Sequence, residues 1–159
     1  MEWFYNFNVM TETKPPIRFK FDIEKLVASL CIFAAKTKGL DKLKAAKLLY
    51  YADKYHLIRY GRPILGDIYY HLDFGPIPSL SLDVMNEAIA PYRLDIPQKN
   101  LELFKTYLKI DKDKTHPVFE VKKQHALDVF SESEIEAIQD NNQTIRELYR
   151  RSAYPFNSP

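Results

Sequence analysis

The feature that most constrains this fold is a helical stretch with almost no polar side. Asp41 is a suitable N-cap, the helical pattern runs to Tyr60, and Gly61 ends it. At 100° per residue, leucine, tyrosine and alanine occupy most of the circumference, and three lysines share one narrow sector. Those lysines are Lys44, Lys47 and Lys54. Because a helix that is apolar over most of its surface must be covered, we predict that it lies at the centre of the fold.

A second arc of the same helix, away from the lysines, carries Leu49, Asp53, His56 and Tyr60. It spans roughly 60°, so two ionisable groups lie on a face that we expect to be covered. One interpretation is a metal pair, but catalytic zinc usually takes three protein ligands, and a strand would have to supply the rest. The favoured interpretation is that these groups bind one another and buried backbone polar groups. The sequence therefore predicts a structural polar network and no metal.

The remaining elements follow from periodicity and from capping residues. We predict a helix from Asp22 to about Lys38, a strand from Asp67 to Phe74 that Gly75-Pro76 ends, and a helix from Ser79 or Ser81 to Ile89. Two short strands are predicted at Leu103–Ile110 and Val118–Lys123. A capping box of Ser131 and Glu134 starts a last helix that runs to about Arg151. The predicted class is α+β, mainly α, with four to five helices and a small antiparallel sheet of two to three strands.

The chain has 159 residues, the size of one compact domain, which we assign to residues 17–159 after an N-terminal arm at residues 1–16. With 23 basic and 21 acidic side chains, the charge is too balanced to attract nucleic acid over distance. The longest apolar run, Leu26–Ala35, is about half of a membrane span, so no membrane is expected. Cys31 is the only cysteine, which excludes a disulfide framework and favours the cytoplasm.

Motifs for catalysis are missing from the sequence. No serine lies in a G-x-S-x-G turn, Cys31 has no activating neighbour in sequence, and four glycines form no phosphate-binding loop. We therefore expect no catalytic residues, no cofactor and no enzymatic activity.

The stretch from residue 47 to 79 resembles the Panacea (SocA-like) antitoxin domain. The resemblance rests on a Lys-Leu-Leu-Tyr helix with a following histidine, a Gly-Arg-Pro turn, an acidic residue and a strand that ends in Gly-Pro. The residues that carry it are Lys47, Leu48, Leu49, Tyr50, His56, Gly61, Arg62, Pro63, Asp67, Gly75 and Pro76. It extends more loosely over about residues 23 to 150. Many members have Ser/Thr-His near the end of the last helix, where this chain has Tyr149-Arg150.

This resemblance implies an antitoxin that neutralises a co-encoded toxin by direct contact, often from a prophage or another mobile element. A protease adaptor and, less favoured, a metal-dependent enzyme stay open as alternatives, and so does a homo-oligomer. On this interpretation the structural network consists of Asp53, His56, Asp67 and His71. The partner-binding residues are predicted to be Arg59, Tyr60, Arg62 and Tyr69, since tyrosine and arginine are enriched in interface hot spots.

Overall fold

A computed structural model describes residues 17–73, 75–91, 95–113 and 115–140. In chain order its elements are α1 (Ile23–Lys36), β1 (Leu40–Asp41), α2 (Lys42–Tyr60), β2 (Tyr69–Leu72), β3 (Gly75–Pro78), α3 (Ser79–Ile89), α4 (Gln98–Tyr107), β4 (Leu108–Asp111), β5 (Val118–Val121), a 3₁₀ helix (Leu127–Val129) and α5, which is helical over residues 132–140. The predicted class, α+β and mainly α with five helices, is confirmed. The predicted arm at 1–16 and the predicted helix beyond residue 140 lie outside the described residues.

The two N-terminal helices begin where the sequence predicts. The Asp22 carboxylate accepts the Lys25 N–H at 3.1 Å, and Asp41 accepts the Lys44 N–H at 2.8 Å. Gly61 ends α2 in the left-handed conformation, with φ of +74°, which glycine adopts without a Cβ penalty. Both helices supply much of the core. Their buried apolar residues are Leu26, Val27, Ala28, Leu30, Cys31, Phe33, Ala45, Ala46, Leu48, Leu49 and Ala52.

The strands form two separate antiparallel sheets, one with the order β1-β5-β4 and one hairpin of β2 and β3. The prediction of a strand from Leu103 was wrong, because residues 103–107 are the last part of α4. Leu101 and Phe104 of α4 are buried three positions apart, which is a helical spacing. Gly75-Pro76 does not end the extended structure but begins β3, a strand that the sequence analysis missed.

Tyr69 is the side chain of β2 that faces α2. Tyr69 packs edge-on against Tyr50 of α2, with ring centroids 5.4 Å apart. Because side chains alternate along a strand, Ile68, Tyr70 and Leu72 share the other side, where each is about half exposed, at 49%, 58% and 50%. Phe74, which continues this alternation in the sequence, lies outside the described residues. The hairpin therefore keeps an apolar outer face.

The loop between α2 and β2 is fixed by a close approach to the chain that precedes α1. The Asp22 N–H donates to the Leu65 carbonyl at 2.9 Å. Gly66 has a φ of +67°, and a Cβ at this position would overlap the Lys20 carbonyl. Glycine is thus required here by both conformation and space. This contact holds the loop above the inner face of α2, where the polar network lies.

Candidate functional site

Asp53 is the centre of the polar network. Its carboxylate is 3% exposed and accepts the backbone N–H groups of Ile64 at 2.7 Å and Leu65 at 2.9 Å on one oxygen. Its other oxygen accepts the Tyr69 hydroxyl at 2.9 Å. One side chain on α2 thus binds both the following loop and strand β2. The buried N–H groups of Ile64 and Leu65 lie in a loop, where no helix or strand supplies an acceptor, and the Asp53 carboxylate supplies it instead.

Burial dominates the electrostatics of this centre. Desolvation raises the pKa of Asp53 above its ordinary value, because its three hydrogen bonds offset only part of the burial cost. The pKa of Tyr69 is also raised, first by burial and then by the neighbouring Asp53 carboxylate. The Tyr69 hydroxyl therefore stays protonated as a donor. It is not an acid or a nucleophile at neutral pH.

Asp67 closes the N-terminus of α3 from outside that helix. Pro78 occupies the N-cap position and makes no side-chain capping bond. Asp67 accepts the N–H groups of Leu80 at 2.9 Å and Ser81 at 2.8 Å, and also the Ser81 hydroxyl at 2.5 Å. A negative charge at this end is also favoured by the helix dipole. The helix begins at Ser79 and ends at Ile89, as predicted, but the side chain that caps it is the remote Asp67 and not a serine of its first turn.

His56 is fully buried and binds partners other than Asp53. Its Nδ1 lies 2.7 Å from the Arg62 carbonyl oxygen, and its Nε2 lies 3.0 Å from the Ser133 hydroxyl. A carbonyl can only accept, so Nδ1 carries a proton and donates to it, while Nε2 lies within hydrogen-bond distance of the Ser133 hydroxyl, which can donate or accept. The expectation that Asp53 and His56 bind one another was wrong. The two groups point to different segments, one to the loop and β2 and the other to α5.

Glu134 is a second buried carboxylate, and it joins three elements. It is 1% exposed and binds Lys25 of α1 at 2.8 Å and Arg62, just after α2, at 2.6 Å. It also accepts the Ser131 N–H at 2.9 Å, which is one half of the predicted capping box. Burial alone would raise the pKa of Glu134, but the hydrogen bonds from Lys25, Ser131 and Arg62 together outweigh it and hold the pKa below its usual value.

An exposed cluster adds to the contact between α2 and α5. The hydroxyl groups of Tyr55 and Tyr60 donate to Glu136 at 3.1 and 2.9 Å, and Arg59 reaches the same carboxylate at 3.5 Å. The hydrogen bonds from Tyr60 and Tyr55 hold the pKa of Glu136 below its usual value. In return, burial and the bond to Glu136 raise the pKa of Tyr55 to about 12.

All four residues that the sequence assigned to partner contact bind other parts of this chain. Arg59 and Tyr60 contact Glu136, Arg62 binds Glu134, and Tyr69 binds Asp53. Each of the four side chains is therefore tied to another segment of this chain.

The predicted network residues are only partly brought together. Asp53 accepts the Tyr69 hydroxyl, and the charges of Asp53 and Asp67 both contribute to the raised pKa of Tyr69. His56 lies further along α2 and faces α5. His71 is exposed on β2, opposite Pro76. The network is therefore two clusters, one around Asp53 and one around His56 and Glu134.

The residues that sequence reasoning missed are Tyr69 as the donor to Asp53 and Glu134 as the anchor of α5. No short-range signal links Tyr69 to Asp53, which is 16 positions away. Glu134 was found only as half of a capping box, a local role that gives no hint of Lys25, 109 positions earlier. Among the described residues, no group of three or more His, Cys, Asp or Glu side chains could hold a metal ion.

The fold and these clusters define a class: a mainly helical α+β domain whose buried ionisable groups hold its segments together. Residues 46–152 match the model of a protein family described as antitoxin SocA-like, Panacea domain. The match covers more than half of the chain, so this protein belongs to that family. It begins within α2 and includes the whole loop and hairpin. No curated protein and no solved structure matched the chain.

Within the part of the chain that the structure describes, no helix combines the length and the apolar character that a bilayer crossing needs.

Proposed function

We propose that this protein is the antitoxin of a toxin–antitoxin pair and neutralises a co-encoded toxin by binding it directly. The family match supports an antitoxin, and the exposed apolar face of the hairpin is the observation that supports a binding mechanism. The buried carboxylates and His56 are occupied by internal hydrogen bonds, so they support a structural role and no catalytic one. Action in the cytoplasm and an origin on a prophage or other mobile element belong to the same proposal.

The contact surface that we propose is the outer face of the hairpin, formed by Ile68, Tyr70 and Leu72. Single exposed apolar residues are normal on protein surfaces, but these three occupy alternating positions of one extended segment and so share one side. A contiguous apolar patch of this kind marks an interaction site more often than ordinary surface. Tyr70, at the centre of the three, is of a residue type enriched in binding hot spots.

The earlier assignment of Arg59, Tyr60, Arg62 and Tyr69 to partner contact stays a prediction. Arg59, Tyr60 and Arg62 keep about half of their side-chain surface exposed, so a partner can reach them. However, each already binds a carboxylate of α5, so a partner would have to share or replace that bond. Within the described part of the chain, no such competing bond engages the side chains of Ile68, Tyr70 and Leu72, and for that reason we favour this face as the main contact.

Co-expression with the protein encoded beside this one tests the proposal. We expect rescue of growth and recovery of a stable complex by pull-down. Leu72→Ala and Tyr70→Ala should weaken both. Leu127→Ala is the matched control, because Leu127 is a similarly exposed leucine on the 3₁₀ helix beside α1.

Three results would contradict direct neutralisation through this face. Full rescue with no detectable complex would exclude binding as the mechanism. Rescue accompanied by disappearance of the toxin protein, dependent on a cellular protease, would favour an adaptor instead. Equal loss of binding in the Leu72 and Leu127 variants would show that the hairpin face has no special role.

A further inference from the structure

The hairpin of β2 and β3 has two outer edges, and its register shows which backbone groups lie on each. The Ser79 N–H donates to the Ile68 carbonyl at 2.8 Å, which places this pair at a hydrogen-bonded position of the ladder, although the Ile68 N–H donates to the Asp67 carboxylate. Such pairs alternate along an antiparallel ladder. The pairs Tyr70 with Ile77 and Leu72 with Gly75 are then hydrogen-bonded as well. It follows that Tyr69 and His71 direct their N–H and C=O groups away from β3.

The outer edge of β3 is blocked against a further strand. The partners of Tyr69 and His71 across the ladder are Pro78 and Pro76. These two residues occupy the outward-facing positions of β3, and proline has no N–H to donate. Prolines at the edge of a sheet are a common means of preventing strand addition.

The outer edge of β2 has no such block. Among the described residues, no backbone hydrogen bond from another element reaches Tyr69 or His71. Tyr70, His71 and Leu72 are all exposed, and Tyr70 and Leu72 extend the apolar outer face up to this edge. The hairpin therefore presents two unpaired N–H and C=O sets beside an apolar surface, which is the combination that β-sheet addition uses.

We propose that the β2 edge accepts an extended segment of the toxin partner as a third strand of this sheet. The proposal rests on the proposed function and names the mode of binding. Backbone groups of Tyr69 and His71 bind the segment main chain. Apolar side chains at alternating positions of the segment lie beside Tyr70 and Leu72 on the outer face. The chemistry required of the partner is thus an extended segment with alternating apolar residues.

The length of the edge argues for a partner protein rather than a second copy. β2 has four residues, whereas a stable interface takes roughly 20–30 residues on each side. Two copies paired on this strand alone would bury far too little surface. A segment that belongs to a folded partner brings further contacts from the rest of that protein, so a short strand is sufficient as one part of the interface.

The test uses two substitutions at one exposed position. His71→Pro removes the outward N–H and leaves the ladder bonds to β3 intact, whereas His71→Ala keeps that N–H and removes only the side chain. For the protein encoded beside this one, we expect affinity to fall about tenfold or more for His71→Pro and to change little for His71→Ala. Circular dichroism and thermal melting show whether both variants remain folded.

Amide hydrogen exchange in the unmodified protein gives a second measurement that does not depend on any variant. In the isolated protein, the Tyr69 and His71 amides should exchange much faster than those of Tyr70 and Leu72, and the complex should protect them. If these two amides are already protected in the isolated protein and the protection is lost on dilution, the edge is paired with a second copy. If the protection in the isolated protein is independent of dilution, the edge is paired with another segment of this chain. Either result would overturn the proposal.

The outcomes separate this proposal from the proposed function. If the neighbouring protein binds wild type and His71→Pro equally, the binding mode is wrong and the antitoxin function stands. If the neighbouring protein does not bind wild type at all, the proposed function is wrong, and so is the proposal that a toxin segment pairs with the β2 edge.

Discussion

Removing the Asp53 carboxylate is the sharpest test of the structural role assigned to the polar network. Asp53→Ala leaves the N–H groups of Ile64 and Leu65 without an acceptor, and both residues are at least 96% buried. Each unsatisfied buried donor costs about 1–3 kcal/mol, which gives about 2–6 kcal/mol for the two. The raised pKa of Asp53 shows that the carboxylate itself is costly to bury, and its removal recovers part of that cost. We therefore expect a net loss of about 2–4 kcal/mol.

Asp53→Asn is the matched control. The amide oxygen can still accept both backbone N–H groups, and the amide nitrogen can donate to the Tyr69 hydroxyl, which then acts as an acceptor. We expect this variant to lose less than about 1.5 kcal/mol. The measurement is urea unfolding followed by circular dichroism at neutral pH, with the slope of the transition checked for constancy across variants.

Against a total stability of about 5–15 kcal/mol, the predicted loss for Asp53→Ala is large and easily resolved. If Asp53→Ala and Asp53→Asn unfold within about 0.5 kcal/mol of wild type, the loop does not depend on this carboxylate, and the reasoning is wrong. If both variants are fully stable but fail to rescue growth, Asp53 is a functional group and not a structural one. That result would revive the enzyme alternative.

Three further predictions follow from single contacts. Asp67→Ala should lower the free energy of unfolding by about 1–2 kcal/mol, because α3 loses its cap; a urea midpoint unchanged from wild type would contradict this role. The pKa of Glu134 is lowered in the folded protein, so its contribution to the free energy of unfolding is fully present above pH 4.5 and is lost as the pH falls below that value. The difference in the free energy of unfolding between wild type and Glu134→Gln should therefore shrink as the pH is lowered through this range. A constant difference would argue against the ion pairs. Gly66→Ala should be much more destabilising than Gly75→Ala, since both have positive φ but only Gly66 lies against the Lys20 backbone; equal melting temperatures would refute this.

Much of the fold could be predicted from the sequence because the signals are local. Asp22 and Asp41 cap the helices that follow them within three residues, and Gly61 ends α2 by its own conformational freedom. The apolar circumference of α2 requires a central position whatever packs around it. Similarly, the arc that carries Asp53 and His56 follows from helix geometry alone, and both residues are buried.

The partners of those buried groups were decided only by the tertiary structure. Asp53 binds the loop and β2, His56 binds Ser133, and Glu134 binds Lys25, and no periodicity specifies which distant segment supplies each partner. The same reason explains the remote cap of α3, where a loop carboxylate takes the position that a nearby serine was expected to fill.

The sequence by itself determined the helices, their caps and the polar face of α2, because these depend on residues within one or two turns of each other. The tertiary structure decided which side of the hairpin faces α2, since alternating residues fit either orientation until Asp53 offers Tyr69 a buried acceptor. That choice leaves Ile68, Tyr70 and Leu72 on the surface. The proposed binding face is thus a consequence of long-range hydrogen bonds, which the local pattern of residues could not specify.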